Sequence, residues 1–264
     1  MALNDTIQAG AGKKEELLDN EPARFFVRSI LGGIYLMVGT AFAAVVGNMS
    51  EQLFPGSGAV VFAMLFGLGL FAIVVLAAEL ATGDMMFSSW AATVRQFSWG
   101  KGIWIVVVAT VGNLVGALLI AWILSQSAKF GSLDDTHLIS TLVEGKLNKG
   151  PWGTFIEAVL ANFVVNMAIV GALLSKEVIS KFIVILPMIA IFVGLGLEHV
   201  IANFCLMGME LFADPQTESF TFGAVALNWV IVWIGNFVGG GLGIGAVYAW
   251  LNKTNTCLLY TSPS

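Results

Sequence analysis

Six apolar runs dominate this chain: Phe25–Val46, Ala59–Leu80, Gly102–Ile123, Trp152–Leu174, Phe182–Met207 and Phe222–Leu251. A helix needs roughly 20 residues to cross a ~30 Å hydrocarbon core, and each run is long enough. Only 11% of the residues are charged, against roughly 25% in soluble domains. The chain is therefore an integral membrane protein, and its net charge of −5 says little about partners. No basic stripe points to nucleic acid. Two cysteines, Cys205 and Cys257, imply neither a disulfide framework nor a thiolate metal site.

The positive charges orient the spans. Lys13, Lys14, Arg24, Arg28, Arg95, Lys101, Lys176, Lys181 and Lys253 fall on the side shared by both termini. Only Lys129, Lys146 and Lys149 fall on the other. Nine against three places both termini in the cytoplasm by the positive-inside rule. Residues 1–24 lack the order of a cleaved signal peptide. They read as a polar cytoplasmic segment with a short surface helix around Lys13–Leu18. The six-span transmembrane domain then runs over 25–253. The remainder, 254–264, ends in TCLLYTSPS and reads as an atypical tail of the kind a sequencing scar leaves.

Two spans are interrupted. In the second, GLFAIVVLAAELATGDMMFSSW, residues Glu79, Thr82, Gly83 and Asp84 break the apolar pattern. In the fifth, GLGLEHVIANF sets Glu198 beside His199 deep in an apolar run, with a second interruption near Asn203. Irregular backbone survives at membrane depth only inside protein or along a wet cavity. A repeat accompanies the breaks. VGNLVGALLIAW (111–122) and IGNFVGGGLGIGAVYAW (234–250) share Gly-Asn-x-Val-Gly, beginning at Gly112 and Gly235. Glu79 and Glu198 hold matching places in the spans just before. Three spans followed by three related ones predict an inverted repeat. The fold expected is an all-α membrane protein of six transmembrane helices, with helices 2 and 5 broken and a permeation site near the midplane.

Each motif has a plain structural reading beside the functional one. Gly-Asn-x-Val-Gly suits small-residue helix packing, while the buried amides of Asn113 and Asn236 would support the breaks. Glu79 and Glu198 read as scaffolding, accepting backbone N–H groups at helix N-termini. His199 has no counterpart, because Leu80 stands at the matching place in the first half. An unmatched ionisable group at that depth is the leading functional candidate; the alternative is a neutral imidazole bonded to backbone. His137, in SLDDTHLIS, reads as surface. No Walker loop, HExxH, GxSxG or paired-carboxylate motif appears, so neither an enzyme nor a cofactor or metal site is expected.

Four of these segments in order, Glu79–Gly83, Gly112–Gly116, Glu198–Asn203 and Gly235–Gly241, resemble the formate/nitrite transporter family. The likeness covers about Arg24 to Lys253, and TFIEA (154–158) is closest to the formate-channel branch. The resemblance implies an aquaporin-like protomer in a homopentamer of the bacterial plasma membrane. Its solutes would be small monovalent anions (formate, nitrite, hydrosulfide, acetate, lactate) moving with protons. It makes His199 the central pore histidine, with Thr82 beside it. His199 would supply or relay the proton, as donor itself or by ordering a donor water, with Glu198 and Asn166 as further residues of the pore relay. Leu70 and Leu80 would form the cytoplasmic constriction, Phe66 and Phe192 the external one. Lys146 or Lys149 would attract anions in the outer vestibule. Ala81 departs from the formate branch, which carries a bulky aromatic there, so the inner slit is expected to be wider or more mobile.

A neutral-solute channel of aquaporin type should carry paired Asn-Pro-Ala half-helices and a pore arginine, and the sequence has neither. An intramembrane enzyme built on the Glu198-His199 dyad lacks a second catalytic partner at sensible spacing.

Overall fold

The structure, a computed structural model, describes residues 3–131 and 133–252. Lys253, Cys257 and the tail 254–264 lie outside the described residues. Among the described residues the regular structure is helical: α1 Leu3–Asn20, α2 Pro22–Leu53, α3 Gly58–Val75, α4 Ala81–Thr93, α5 Trp99–Ser125, α6 Leu138–Leu147, α7 Pro151–Leu174, α8 Val178–Gly194, α9 Val200–Glu210 and α10 Phe222–Leu251. Among the described residues, five helices (α2, α3, α5, α7 and α10) are long and apolar enough to cross a bilayer. The apolar α8 and α9 are shorter, at 17 and 11 residues.

The helix starts follow from local chemistry. Pro22 and Pro151 open α2 and α7, where a missing N–H costs nothing. Ser98 caps α5 by accepting from Lys101 N at 3.2 Å, and Thr221 caps α10 by accepting from Ala224 N at 3.2 Å.

Several boundaries differ from the sequence expectation. α2 continues past Val46 to Leu53. α3 stops at Val75 instead of Leu80, because Ala77 turns to φ +54° and its carbonyl is held by the Arg28 guanidinium at 2.9 Å. At the matching place before the second glutamate, Gly196 turns to φ +67° and ends α8, the backbone region glycine enters without strain. Asn203 lies inside α9, so the interruption in the fifth run is single, over residues 195–199. The short surface helix at Lys13–Leu18 is the end of an 18-residue α1 whose Ile7, Ala11 and Leu18 are buried. Asn4 fastens it to α4 by accepting from Trp90 Nε1 at 2.9 Å.

The two Gly-Asn-x-Val-Gly segments bring helices into backbone contact. A Cβ added at Gly116 would lie 2.0 Å from Ile30 O of α2, and one at Gly239 would lie 1.8 Å from Val159 O of α7. Around Gly239 the middle of α10, Phe237–Ala246, is wound as a π-helix. Gly239→Ala is expected to cost about 3 kcal/mol or more through overpacking, since a backbone carbonyl cannot move aside. Gly194→Ala, where the added Cβ meets nothing within 4 Å, is the control that should leave thermal unfolding in detergent unchanged. Equal melting temperatures for the two variants would refute the backbone-contact argument.

Candidate functional site

The two breaks are built from matched parts. Asn113 Oδ1 accepts from Ala81 N at the start of α4 (2.9 Å), while its Nδ2 donates to Glu79 O (2.9 Å) and Ser29 O (2.6 Å). Asn236 Oδ1 accepts from Val200 N at the start of α9 (2.9 Å), while its Nδ2 donates to Glu198 O (2.9 Å) and Ala158 O (2.8 Å). Each amide thus satisfies both a free helix N–H and the carbonyls that the irregular backbone leaves over. The glutamates act differently from the backbone-capping role expected of them. Glu79 and Glu198 bind lysine ammonium groups, and the capping falls to the asparagines.

His199 is the N-cap of α9. Its Nδ1 accepts from Ala202 N at 3.2 Å, and its Nε2 contacts Thr82 Oγ1 at 2.9 Å. Because Nδ1 faces a donor, Nε2 carries the hydrogen and donates it to Thr82. The Thr82 hydroxyl hydrogen is left to face elsewhere. Two further amides brace this contact from α7. Asn162 Nδ2 donates to Thr82 O (3.1 Å) and Asn236 O (2.8 Å), and Asn166 Nδ2 donates to Thr82 O (3.2 Å) and Asn162 Oδ1 (2.9 Å). The buried Asn166 Oδ1 has no partner.

Apolar side chains close both sides of this polar centre. The Phe192 ring sits 5.7 Å from the imidazole and 5.9 Å from Phe66, edge to face. Phe66 and Phe192 floor a cavity of about 230 Å³ at the α6 end, whose rim carries Lys146 and Lys149. Leu70 and Leu80 floor a cavity of about 570 Å³ at the α1 end, whose wall carries Lys14, Glu79 and Asp84. Neither cavity reaches His199, and all four apolar side chains are buried.

Charge is concentrated where the cavities meet the breaks. The fully buried Glu198 takes both Lys146 (3.1 Å) and Lys149 (2.8 Å) on Oε1, and Asn203 Nδ2 (2.7 Å) on Oε2. Asn203 also donates to Asn228 Oδ1 at 2.8 Å, so it braces Glu198 rather than a helix break. Burial pulls Lys146 below the usual lysine range, against the opposing pull of Glu198. Lys149 is held above that range by Glu198 and Glu157 despite its own partial burial. At the α1 end, Lys14 reaches in to both Glu79 and Asp84, the latter at 2.7 Å. Burial works against its charge, but Asp84 and Glu79 lift it well above the ordinary lysine value. Sequence reasoning counted Lys14 as a topological charge and Asp84 as an interruption, and it passed over Asn162. The spacing of Glu79 to Asp84 equals that of Glu198 to Asn203, which was the available signal.

A helical bundle of membrane-crossing length that encloses a histidine–threonine contact between two lysine-bearing cavities has the form of a solute channel or transporter. The family described as formate/nitrite transporter matches residues 2–250. The nitrite transporter NirC of Escherichia coli (strain K12) is 31% identical over 255 residues, which is 94% of this chain and 92% of that protein. The formate channel FocA of the same strain is 30% identical over 252 residues, 86% of each. A solved FNT family ion channel superposes with a TM-score of 0.89 at 26% identity, across 95% of this chain and 98% of that one. The chain belongs to the formate/nitrite transporter family and is a multi-pass membrane transport protein.

Proposed function

We propose that this protein is a homopentameric channel for small monovalent weak-acid anions, formate first, and that it carries them across its centre as the neutral acid. The observation that carries this reading is the His199–Thr82 contact, braced by Asn162 and Asn166 and flanked by the apolar Phe192 ring. α3 with α4 and α8 with α9 each form one broken span, which with α2, α5, α7 and α10 makes an inverted repeat of six. The matched Asn113 and Asn236 bonds support that grouping. The α1 end faces the cytoplasm and the α6 end the outside of a bacterial plasma membrane, in line with the lysine and arginine count.

Energetics dictate the neutral passage. Taking a carboxylate-sized ion into low dielectric costs on the order of 20 kcal/mol ideally, and several after relaxation. Protonating an acid of pKa ~4 at pH 7 costs only about 4 kcal/mol. Lys146 and Lys149 gather the anion in the outer cavity. Protonated there from water, the acid slips past Phe66 and Phe192. It then meets the Thr82 hydroxyl, which His199 orients by donating from Nε2. A cationic imidazole would set an N–H against Ala202 N–H, so His199 serves as a neutral positioning group and not as the source of the proton. Leu70 and Leu80 release the acid to the inner cavity. Nitrite is the second reading, because NirC, at 31% identity over 94% of this chain, resembles it somewhat more than FocA does, at 30% over 86%.

Purified pentamer in liposomes loaded with a pH dye tests this. Gradients of formate, nitrite, hydrosulfide, acetate and lactate salts are expected to acidify the lumen one proton per anion, whereas glycerol should not swell the vesicles. Glycerol flux without anion-driven acidification overturns the reading, and the fastest anion names the substrate.

A further inference from the structure

The two charged clusters share a plan of three residues and differ in the third of them, the outer cluster carrying Lys149 in addition. In each, a glutamate sits at a break, a lysine comes from the helix just ahead of a long span, and a third residue lies five positions on from the glutamate: Glu79, Lys14 and Asp84; Glu198, Lys146 and Asn203. In the outer cluster the third residue is an amide, whose N–H completes the glutamate at 2.7 Å. In the inner cluster it is a carboxyl group, which has a hydrogen to offer Glu79 only when protonated.

Asp84 is placed as such a group. Its side chain is 1% exposed, Oδ1 takes Lys14 at 2.7 Å, and Oδ2 is buried with no donor in reach. Glu79 stands on the same ammonium. Two carboxyl groups on one cation leave one negative charge uncompensated, and like charges so close share a proton. Around the cavity, α1 brings Lys13, Lys14 and Glu16, Glu21 precedes α2, and α2 brings Arg28. The α3 and α7 residues that face it are apolar. Lys14 and the N-terminus of α4, where Asp84 sits in the first turn, both favour one negative charge. The pair therefore holds one proton, not two.

We propose that Asp84, paired with Glu79, is the proton-exchange site of the inner mouth. Asp84 first loses the shared proton to water. The neutral acid leaving Leu70 and Leu80 then gives its O–H proton to the Asp84 carboxylate and departs as the anion, which returns the pair to its one-proton state. In the reverse direction, protonated Asp84 gives the proton to an entering anion. This step rests on the neutral-acid passage proposed above.

Asp84→Asn, which restores the amide of the outer cluster, tests it. Equilibrium exchange of isotope-labelled formate is measured with identical pH and buffer on both faces, so that no net proton movement is needed. At pH 7 and low buffer the variant should exchange about ten-fold more slowly than wild type, the loss of a positioned acid–base group. Added imidazole should restore its rate while leaving wild type unchanged. Infrared titration of the pentamer should also show a protonated-carboxyl carbonyl band that D84N lacks. A folded D84N pentamer that exchanges at the wild-type rate, stays slow at every imidazole concentration, or keeps the band overturns the proposal and leaves the neutral-acid passage standing. Wild-type exchange that does not quicken as pH falls overturns both.

Discussion

His199→Ala is expected to slow anion uptake by about a hundredfold or more, the usual loss when one preorganised donor is removed from a dry site. The variant loses two contacts at once: the cap on Ala202 N and the donor to Thr82 Oγ1. His199→Gln separates them from proton donation. A glutamine amide can reach Thr82 with an N–H but carries no proton to give at any ordinary pH. If the imidazole is a neutral positioning group, H199Q should stay within about ten-fold of wild type and keep the wild-type pH profile of uptake. Should H199Q instead lose the pH-dependent part of uptake while retaining a folded pentamer, the proton belongs to the imidazole. Losing the cap itself costs only ~1 kcal/mol, too little to unfold the protein, so uptake loss in either variant reports on the site.

Much of this site was legible because membrane burial makes polar residues conspicuous. Asn113, Asn236, Glu79, Glu198 and His199 stood out against apolar runs, and their spacing in two halves led to the matched breaks. What the sequence hid was partnership. A carboxylate near a helix start suits a backbone N–H as well as an ammonium, and nothing in the pattern said that Lys14 would return from α1 to meet Glu79. Asn203 looked like a break because polar residues near Glu198 cluster there, yet its amide fits within α9 by bonding Glu198 and Asn228. The loop lysines were harder still. Lys146 and Lys149 lie in a polar stretch, and only the folding of α6 over the cavity turns both toward one buried oxygen. The helix boundaries slipped for local reasons, such as the Ala77 turn, that hydropathy does not register.

The same convergence makes Glu198 the most costly charge to remove. Glu198→Ala leaves two ammonium groups facing each other with no carboxylate between them. Lys149 keeps its ion pair with Glu157, whereas Lys146 keeps the Leu197 carbonyl, at 3.4 Å, and the weaker attraction of Glu157. Stranding a buried partner typically costs about 3–5 kcal/mol, and that loss should appear as a lower melting temperature in detergent. Its pH dependence has a definite sign. Burial already holds Lys146 below the usual lysine value, and without Glu198 opposing that pull its folded-state value must fall further. A lysine with a depressed folded-state pKa binds protons more weakly folded than unfolded. The penalty is therefore full below the folded value and is relieved as pH rises toward the unfolded one. E198A should accordingly gain stability between neutral pH and about pH 10, more steeply than wild type, and adding Lys146→Met should flatten the difference. An E198A melting temperature that matches wild type, or that falls relative to it as pH rises, would mean that Lys146 does not depend on this carboxylate.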